Sequence, residues 1–167
     1  MATDVMVRPA HEADVDGIQA VAERTWHQTY DDILGPDVVE EVMDEWYPDE
    51  AIAEGISHDA QDFVVAVDDD TVVGYAHVGP HPPRRVHLLY RIYVDPDYWN
   101  QGIGKALLAD IEQALYDRDV GSYEVEVFAA NERGVGFYEA TGFEQVDESE
   151  TEFKGVAVTE RIYRKRL

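Results

Sequence analysis

The stretch Val94-Asp95-Pro96-Asp97-Tyr98-Trp99-Asn100-Gln101-Gly102-Ile103-Gly104-Lys105-Ala106-Leu107-Leu108 decides how this chain is read. It runs from a strand end through a turn carrying Pro96, Gly102 and Gly104 into an amphipathic helix. Apolar residues at Ile103, Leu107, Ile111 and Leu115 set the helical period. A helix start leaves backbone N–H groups unpaired and carries partial positive charge, so it suits a phosphate group. Glycines let the backbone approach such a group closely. Spacing rules out a nucleotide P-loop, because Trp99 stands where its first glycine belongs and Ala106 follows Lys105 in place of Ser or Thr. A dinucleotide fingerprint fits poorly, because Leu107 occupies the position of its third small residue. An ordinary strand–turn–helix connection stays open on this stretch alone.

A second segment, Glu124-Val125-Glu126-Val127-Phe128-Ala129-Ala130-Asn131-Glu132-Arg133-Gly134-Val135-Gly136-Phe137-Tyr138-Glu139-Ala140-Thr141-Gly142-Phe143, narrows the choice. An alternating strand gives way to Asn131, a good N-cap, and then to a short helix that Gly142 is placed to end. Together the two segments resemble the GCN5-related N-acetyltransferase (GNAT) family, whose members use acetyl-coenzyme A. The family's pyrophosphate loop, Arg/Gln-x-x-Gly-x-Gly/Ala, aligns with Trp99-Asn100-Gln101-Gly102-Ile103-Gly104. Its later pattern, Asn-x-x-Ala-x-x-Phe-Tyr-x-x-x-Gly-Phe, is matched at Asn131, Phe137, Tyr138, Gly142 and Phe143, with Gly134 in place of Ala. Trp99 departs from the family's Arg or Gln. In the family the pyrophosphate is held mainly by backbone N–H groups, which a Trp still supplies; the departure bears on an extra charge contact, for which Lys105 or Arg133 could compensate.

The resemblance implies an α/β (α+β) fold, the GNAT fold: a mixed, mostly antiparallel sheet of about seven strands flanked by helices, with a splayed cofactor cleft. It implies that pantetheine runs along backbone at Ile92, Tyr93 and Val94 like an added strand. The pyrophosphate then lies on the loop from Asn100 and Gln101 through Gly102, Ile103 and Gly104 to Lys105, and Asn131 touches the pantetheine arm. Tyr138 matches the family's general acid beside the cofactor sulfur, a phenol that still holds a proton at neutral pH. Glu126 matches the general base of some protein N-terminal acetyltransferases in the family. Strand alternation puts Glu124 and Glu126 on one face. A carboxylate inside a covered sheet needs a purpose, while a solvated glutamate face is the competing reading. On the central strand, where other members carry Glu or His, this chain has Leu88 and Tyr90, so Tyr90 alone could contribute there.

The family's first two helices, and the loop between them, roof the acceptor side. In that region Trp26 and Tyr30 lie four residues apart and share a helix face. Such a pair could hold a cationic amine or serve core packing. The acceptor is expected to be a small-molecule amine or a protein N-terminus or lysine, and the resemblance allows a homodimer. A catalytically weak acyl-coenzyme A sensor is the alternative reading, resting on Trp99. His77, His81 and His87 span a strand end and a Pro-rich loop without fixed ligand geometry, so they read as surface or loop histidines and no metal is expected. Arg84 and Arg85 in that loop could border the acceptor entrance.

Composition sets the outer limits. The 167 residues suggest a single domain over 1–167. The chain has no cysteine, which excludes disulfides, thiolate metal sites and an acetyl-cysteine intermediate. Direct attack in a ternary complex is therefore expected. No apolar run reaches membrane length and no signal-peptide pattern opens the chain, so no membrane partner and a cytoplasmic location are expected. Net charge is −23, from 36 acidic and 13 basic residues. A nucleic-acid mimic, a field steering a polycationic substrate, and adaptation to high salt would each produce such a balance. The acids are spread along the chain and lysines are scarce, which favours the third reading, as in a halophilic archaeon. The balance argues against nucleic-acid binding.

Periodicity gives the remaining order. Strand 4–8 is followed by helices Asp14 to about Thr29 and Pro36 to Tyr47, then a short helical turn over Pro48–Ser57. Strands Asp62–Val67 and Thr71–Gly79 form a hairpin, and Val86–Val94 leads into the loop quoted first. After the helix 102–117 come strand 122–129, helix Asn131–Thr141, and tail strands 143–151 and 155–165.

Overall fold

A computed structural model describes residues 4–167. The chain opens with β1 (Val5–Pro9), followed by helices α1 (Val15–Leu34), α2 (Pro36–Trp46) and α3 (Asp49–Ser57). Three consecutive strands come next: β2 (Asp62–Asp68), β3 (Thr71–His81) and β4 (Val86–Val94). The second half is α4 (Ile103–Asp117), β5 (Ser122–Phe128), α5 (Glu132–Ala140), β6 (Glu144–Phe153) and β7 (Val156–Arg166). The strands make one seven-stranded sheet in the order β1-β2-β3-β4-β5-β7-β6. Every neighbouring pair is antiparallel except β4 and β5.

Both faces of β2 and β3 are covered, which is why they read as almost unbroken apolar runs. On one face α1 lays down Ile18, Val21, Ala22, Trp26, Tyr30 and Leu34, joined by Val39 and Val42 of α2 and Ile52 of α3. On the other, α4 buries Ile103, Leu107, Leu108, Ile111 and Leu115 against β2 and β3. Each fully buried Leu or Ile stabilises the fold by about 1.5–3 kcal/mol. The β2–β3 hairpin turns on Asp69 and Asp70, both at positive φ (52° and 72°), the backbone of a tight two-residue reversal.

The feature that positions the site is the junction of β4 and β5. They pair only at Leu88 and Glu124. Beyond that point β4 stays with β3 while β5 stays with β7, so the two central strands part. The backbone of β4 after Leu88 faces an opening instead of a ladder partner. A bulge sharpens the divergence: Arg91 pairs with His77 and Leu89 with Val78, which leaves Tyr90 as the extra residue.

Three boundaries differ from the sequence reading. Helix α1 continues past Thr29 to Leu34, because Trp26, Tyr30 and Leu34 extend its buried face, and only Gly35 (φ 90°) separates it from α2. The expected connecting loop is thus nearly absent. Strand β3 runs on through Pro80 to His81, since the Pro-rich segment still pairs with Val86 and His87. The expected short turn after Pro48 is a nine-residue helix, α3. Among the described residues no helix is long and apolar enough to cross a membrane.

Candidate active site

The loop between β4 and α4 is fixed from three sides. Arg24 of α1 reaches Asp95 at 2.7 Å and Asp97 at 3.0 Å. The Tyr98 hydroxyl donates to Asp68 at the end of β2 (2.7 Å). The Trp99 indole N–H donates to the Val94 carbonyl (2.7 Å), closing the turn over the strand end. Gly102 then takes φ 80°, a left-handed conformation costly for any side chain, and a Cβ placed on it would meet open space. The first helical bond runs from Ala106 N–H to the Gly102 carbonyl, so the N–H groups of Ile103, Gly104 and Lys105 have no partner within the helix. Gly104 faces α5, and a Cβ there would come within 2.9 Å of the Phe137 ring.

This loop borders a cavity of about 660 Å³ that follows the gap between β4 and β5. Ile92, Tyr93 and Val94 form one side, with Val125, Glu126 and Val127 facing them. Asn100, Gly102, Ile103, Gly104 and Lys105 close one end, and Asn131 and Tyr138 border it from α5. Gln101 is the one residue of the expected loop set that does not reach the cavity. One lone pair of the Val94 carbonyl is already engaged by Trp99.

Asn131 works in two directions. Its side-chain oxygen accepts from Gly134 N–H (3.0 Å), capping α5, and its amide donates to the Tyr30 hydroxyl (3.1 Å). Tyr30 in turn lies 3.4 Å from the Tyr93 hydroxyl, tying α1 to β4. Tyr138 is buried, and burial, followed by the nearby Tyr30, pushes its phenol well above the ordinary value. It therefore keeps its proton at neutral pH.

A second cavity of about 630 Å³ lies under α1, α2 and α3. It shares Tyr30, Leu89, Tyr90, Arg91, Tyr93, Glu126 and Val127 with the first, so the two meet where the strands part. Aromatic rings dominate its walls, with Trp26, Trp46, Phe128 and Phe153 in edge or tilted contact with their neighbours. Three carboxylates, Glu54, Glu126 and Glu160, also line it. Glu126 is bonded by Arg84 at 3.1 Å, and Arg84 also holds the buried Glu124 at 2.7 Å. Glu160 has its pKa raised by burial and then by the charge of Glu126.

The fold built from these elements is that of known acetyl transferases. The acetyltransferase (GNAT) family model matches residues 23–143. The chain belongs to the GNAT acetyltransferase family. At 26% identity over 153 residues it is similar to spermidine N(1)-acetyltransferase of Thermoplasma acidophilum, covering 89% of this chain and 94% of that one. It is 42% identical to the ribosomal protein bS18-alanine N-acetyltransferase of Escherichia coli over 57 residues, 34% of this chain and 38% of that one. The structure of the PaiA N-acetyltransferase from Thermoplasma acidophilum, solved with coenzyme A, superimposes with a TM-score of 0.86 at 25% identity, over 99% of this chain and 100% of that one. Membership carries the coarse activity, acetyl-coenzyme A-dependent N-acetyl transfer.

Coenzyme A fits this GNAT chain on its own features: unpaired backbone along β4, open space over Gly102 and unpartnered N–H groups at the start of α4. The expected pair Glu124 and Glu126 does share a face, but Glu124 is not solvated. It is 4% exposed and clamped by Arg84 and Arg164 at 2.7 Å each. Trp26 and Tyr30 are both core residues and cavity walls. Tyr90 is exposed in its bulge, with its hydroxyl donating to the Pro80 carbonyl (2.7 Å).

His77 corrects the sequence reading. It is no surface or loop histidine but a strand residue buried between Phe63 and Tyr90, and burial depresses its pKa to about 3. Arg91, Glu54, Glu160, Trp46 and Phe153 were not legible as site residues. Their convergence depends on register and on α2 and α3 folding over the sheet, which no local spacing encodes.

Proposed function

We propose that this GNAT chain acetylates a primary amine by direct attack in a ternary complex, with Glu126 as proton acceptor and Tyr138 as proton donor. One observation carries the reading: two cavities meet at the parting of β4 and β5, and Glu126 borders both while Tyr138 borders the first. The first cavity suits the cofactor and the second the acceptor.

Acetyl-coenzyme A supplies the activated acyl group. An alkyl amine reaches the site as an ammonium ion at neutral pH and must lose a proton before its nitrogen can bond to carbon. Glu126, held in place by Arg84, takes that proton directly or through one water. The carbon–sulfur bond breaks as the new carbon–nitrogen bond forms; the departing sulfur takes the Tyr138 proton, and the second proton shed by the amine nitrogen as it becomes an amide restores the phenol. Tyr138 holds its proton at neutral pH and so has one to give. No cysteine is available to carry the acetyl group.

The acceptor side favours a cation, because Glu54, Glu126 and Glu160 stand among aromatic walls. The named relatives point the same way, one to spermidine and one to an alanine of a ribosomal protein. The transfer reading is tested by calorimetric titration of acetyl-coenzyme A in concentrated KCl, followed by a free-thiol assay against a panel of amines. Micromolar binding with amine-dependent thiol release supports transfer. Binding without release by any amine would leave the sensor reading in its place.

A further inference from the structure

Among the described residues, three of the four buried side-chain polar atoms without a partner sit on residues that line the acceptor cavity: Trp26 Nε1, His77 Nδ1 and Arg91 Nη1. The fourth, Arg84 Nε, sits on the residue that holds Glu126. Leaving one such atom buried and unpaired costs about 1–3 kcal/mol, so a group that satisfies it is recognised strongly. All three residues line one cavity with the unmet atoms set just beneath its surface, so that a small turn of the side chain would bring each to a polar ligand.

Arg91 and His77 are register partners across β4 and β3 and therefore project from the same face. Their unmet needs are opposite. Arg91 donates one nitrogen to the Trp46 carbonyl (2.8 Å) and lies 4.5 Å over the Tyr47 ring, which leaves the N–H groups on Nη1 without an acceptor. It has no carboxylate partner among the described residues, although Arg8, Arg24, Arg84, Arg118, Arg161 and Arg164 all do. His77 has Nε2 2.7 Å from the Gln61 amide oxygen. That oxygen only accepts, so Nε2 carries the proton and Nδ1 presents a lone pair. Two register-paired residues of one cavity wall thus hold an unmet donor and an unmet acceptor.

We propose that Arg91 and His77 read an amide unit on the acceptor, its carbonyl taking the Arg91 N–H and its N–H meeting the His77 lone pair, so that the amine acetylated is the N-terminus of a peptide. This inference rests on the transfer reading given above. A linear polyamine fits the same wall poorly. It carries donors only, could serve His77, and would leave the Arg91 donor unmet while placing a second positive charge beside a guanidinium. The carboxylates then hold the single N-terminal ammonium, and Tyr90 and the aromatic rings face the first side chain.

The test compares an alanyl dipeptide amide with spermidine and with an alkylamine of the same length as the dipeptide. Wild type, Arg91→Met and His77→Phe are assayed, each with a calorimetric titration of the dipeptide amide in the presence of coenzyme A. The expected result is a wild-type preference for the dipeptide amide in kcat/KM. Either substitution lowers the ratio of dipeptide to alkylamine by about tenfold or more, chiefly through KM. His77→Phe keeps the ring stacking and guards against a folding defect in Arg91→Met. If alkylamines or spermidine are acetylated as well as the peptide, or the ratio does not move, the amide-reading pair is wrong while transfer stands. If the dipeptide amide binds wild type, loses affinity in both variants and is never acetylated, the pair stands and the transfer reading falls.

Discussion

The guanidinium of Arg133 lies 3.7 Å above the indole ring of Trp99. Arg133 also donates to the Asn100 side-chain oxygen at 3.3 Å. The stack joins the second residue of α5 to the loop that begins α4, across the mouth of the cofactor cavity. Trp99 is where the family usually carries Arg or Gln. A positive charge stands beside the loop on the next helix, with the indole as its platform. Lys105 lines the same end and, like Arg133, has no carboxylate partner among the described residues.

Arg133→Ala should therefore weaken acetyl-coenzyme A binding by about fivefold to thirtyfold, the equivalent of about 1–2 kcal/mol for a charge-assisted contact. Trp99→Ala should cost a similar amount through loss of the platform, and the double variant less than the sum, because the two act as one unit. Calorimetry on all three settles the point. Wild-type affinity in Arg133→Ala would mean that the backbone N–H groups and Lys105 hold the cofactor without it.

Tyr138→Phe separates chemistry from binding. The ring packs against Phe137, Phe143 and Tyr163, so the phenyl group should keep its place. What disappears is the proton. Turnover should fall by about 10²–10⁴ while the calorimetric affinity for acetyl-coenzyme A changes little. Unchanged turnover would remove Tyr138 from the acid role and point to solvent as the proton source.

Much of the fold and of the cofactor side is legible in the sequence. The apolar period of Ile103, Leu107, Ile111 and Leu115 placed α4, and all four are buried. Asn131 and Gly142 bracketed α5, because capping and positive φ are local demands that local residues must answer. The one unusual loop residue, Trp99, was visible too, but its partner was not singled out from two candidates. The acceptor side was the hardest to read. His77 looked like one of three scattered histidines, and only the β2–β3–β4 register stacks it between Phe63 and Tyr90 opposite Arg91. Gly134, an apparent lapse from the family pattern, has a steric reason: a Cβ there would lie 2.6 Å from the Asn131 amide as that side chain caps the helix.

Glu126→Gln probes the base. If Glu126 accepts the amine proton, turnover falls and the acidic limb of the pH–rate profile flattens, because the group whose ionisation it reports is gone. Glu160→Gln serves as the contrast. It lies on β7 opposite Phe128 and lines the acceptor cavity without reaching the cofactor side. Its loss should raise KM for a cationic acceptor and leave the shape of the profile intact. A profile unaltered by Glu126→Gln, with the limb lost in Glu160→Gln instead, would transfer the role to Glu160.

Two histidines should respond to pH in opposite directions. His77 is neutral in the fold, its pKa depressed by burial from 6.5 to about 3. Its contribution is intact above pH 6.5 and is lost as pH falls toward 3, because the unfolded chain takes up the proton first. Between pH 6.5 and 4.5 wild type should lose roughly 2 kcal/mol more stability than His77→Phe. His27 behaves the other way. Both ring nitrogens meet carboxylates, Glu40 at 2.5 Å and Asp31 at 2.7 Å, so both carry protons, and these bonds, the one to Glu40 foremost, raise its pKa above 6.5. The clamp it forms between α1 and α2 is complete below pH 6.5 and loosens as pH rises through the folded-state value. Because His27 lies near solvent the effect on global stability is small, and imidazole resonances followed by NMR are the better readout. A His27 signal titrating at or below 6.5 would remove the clamp, and a His77 signal that shifts near neutrality would mean that the acceptor wall is wet.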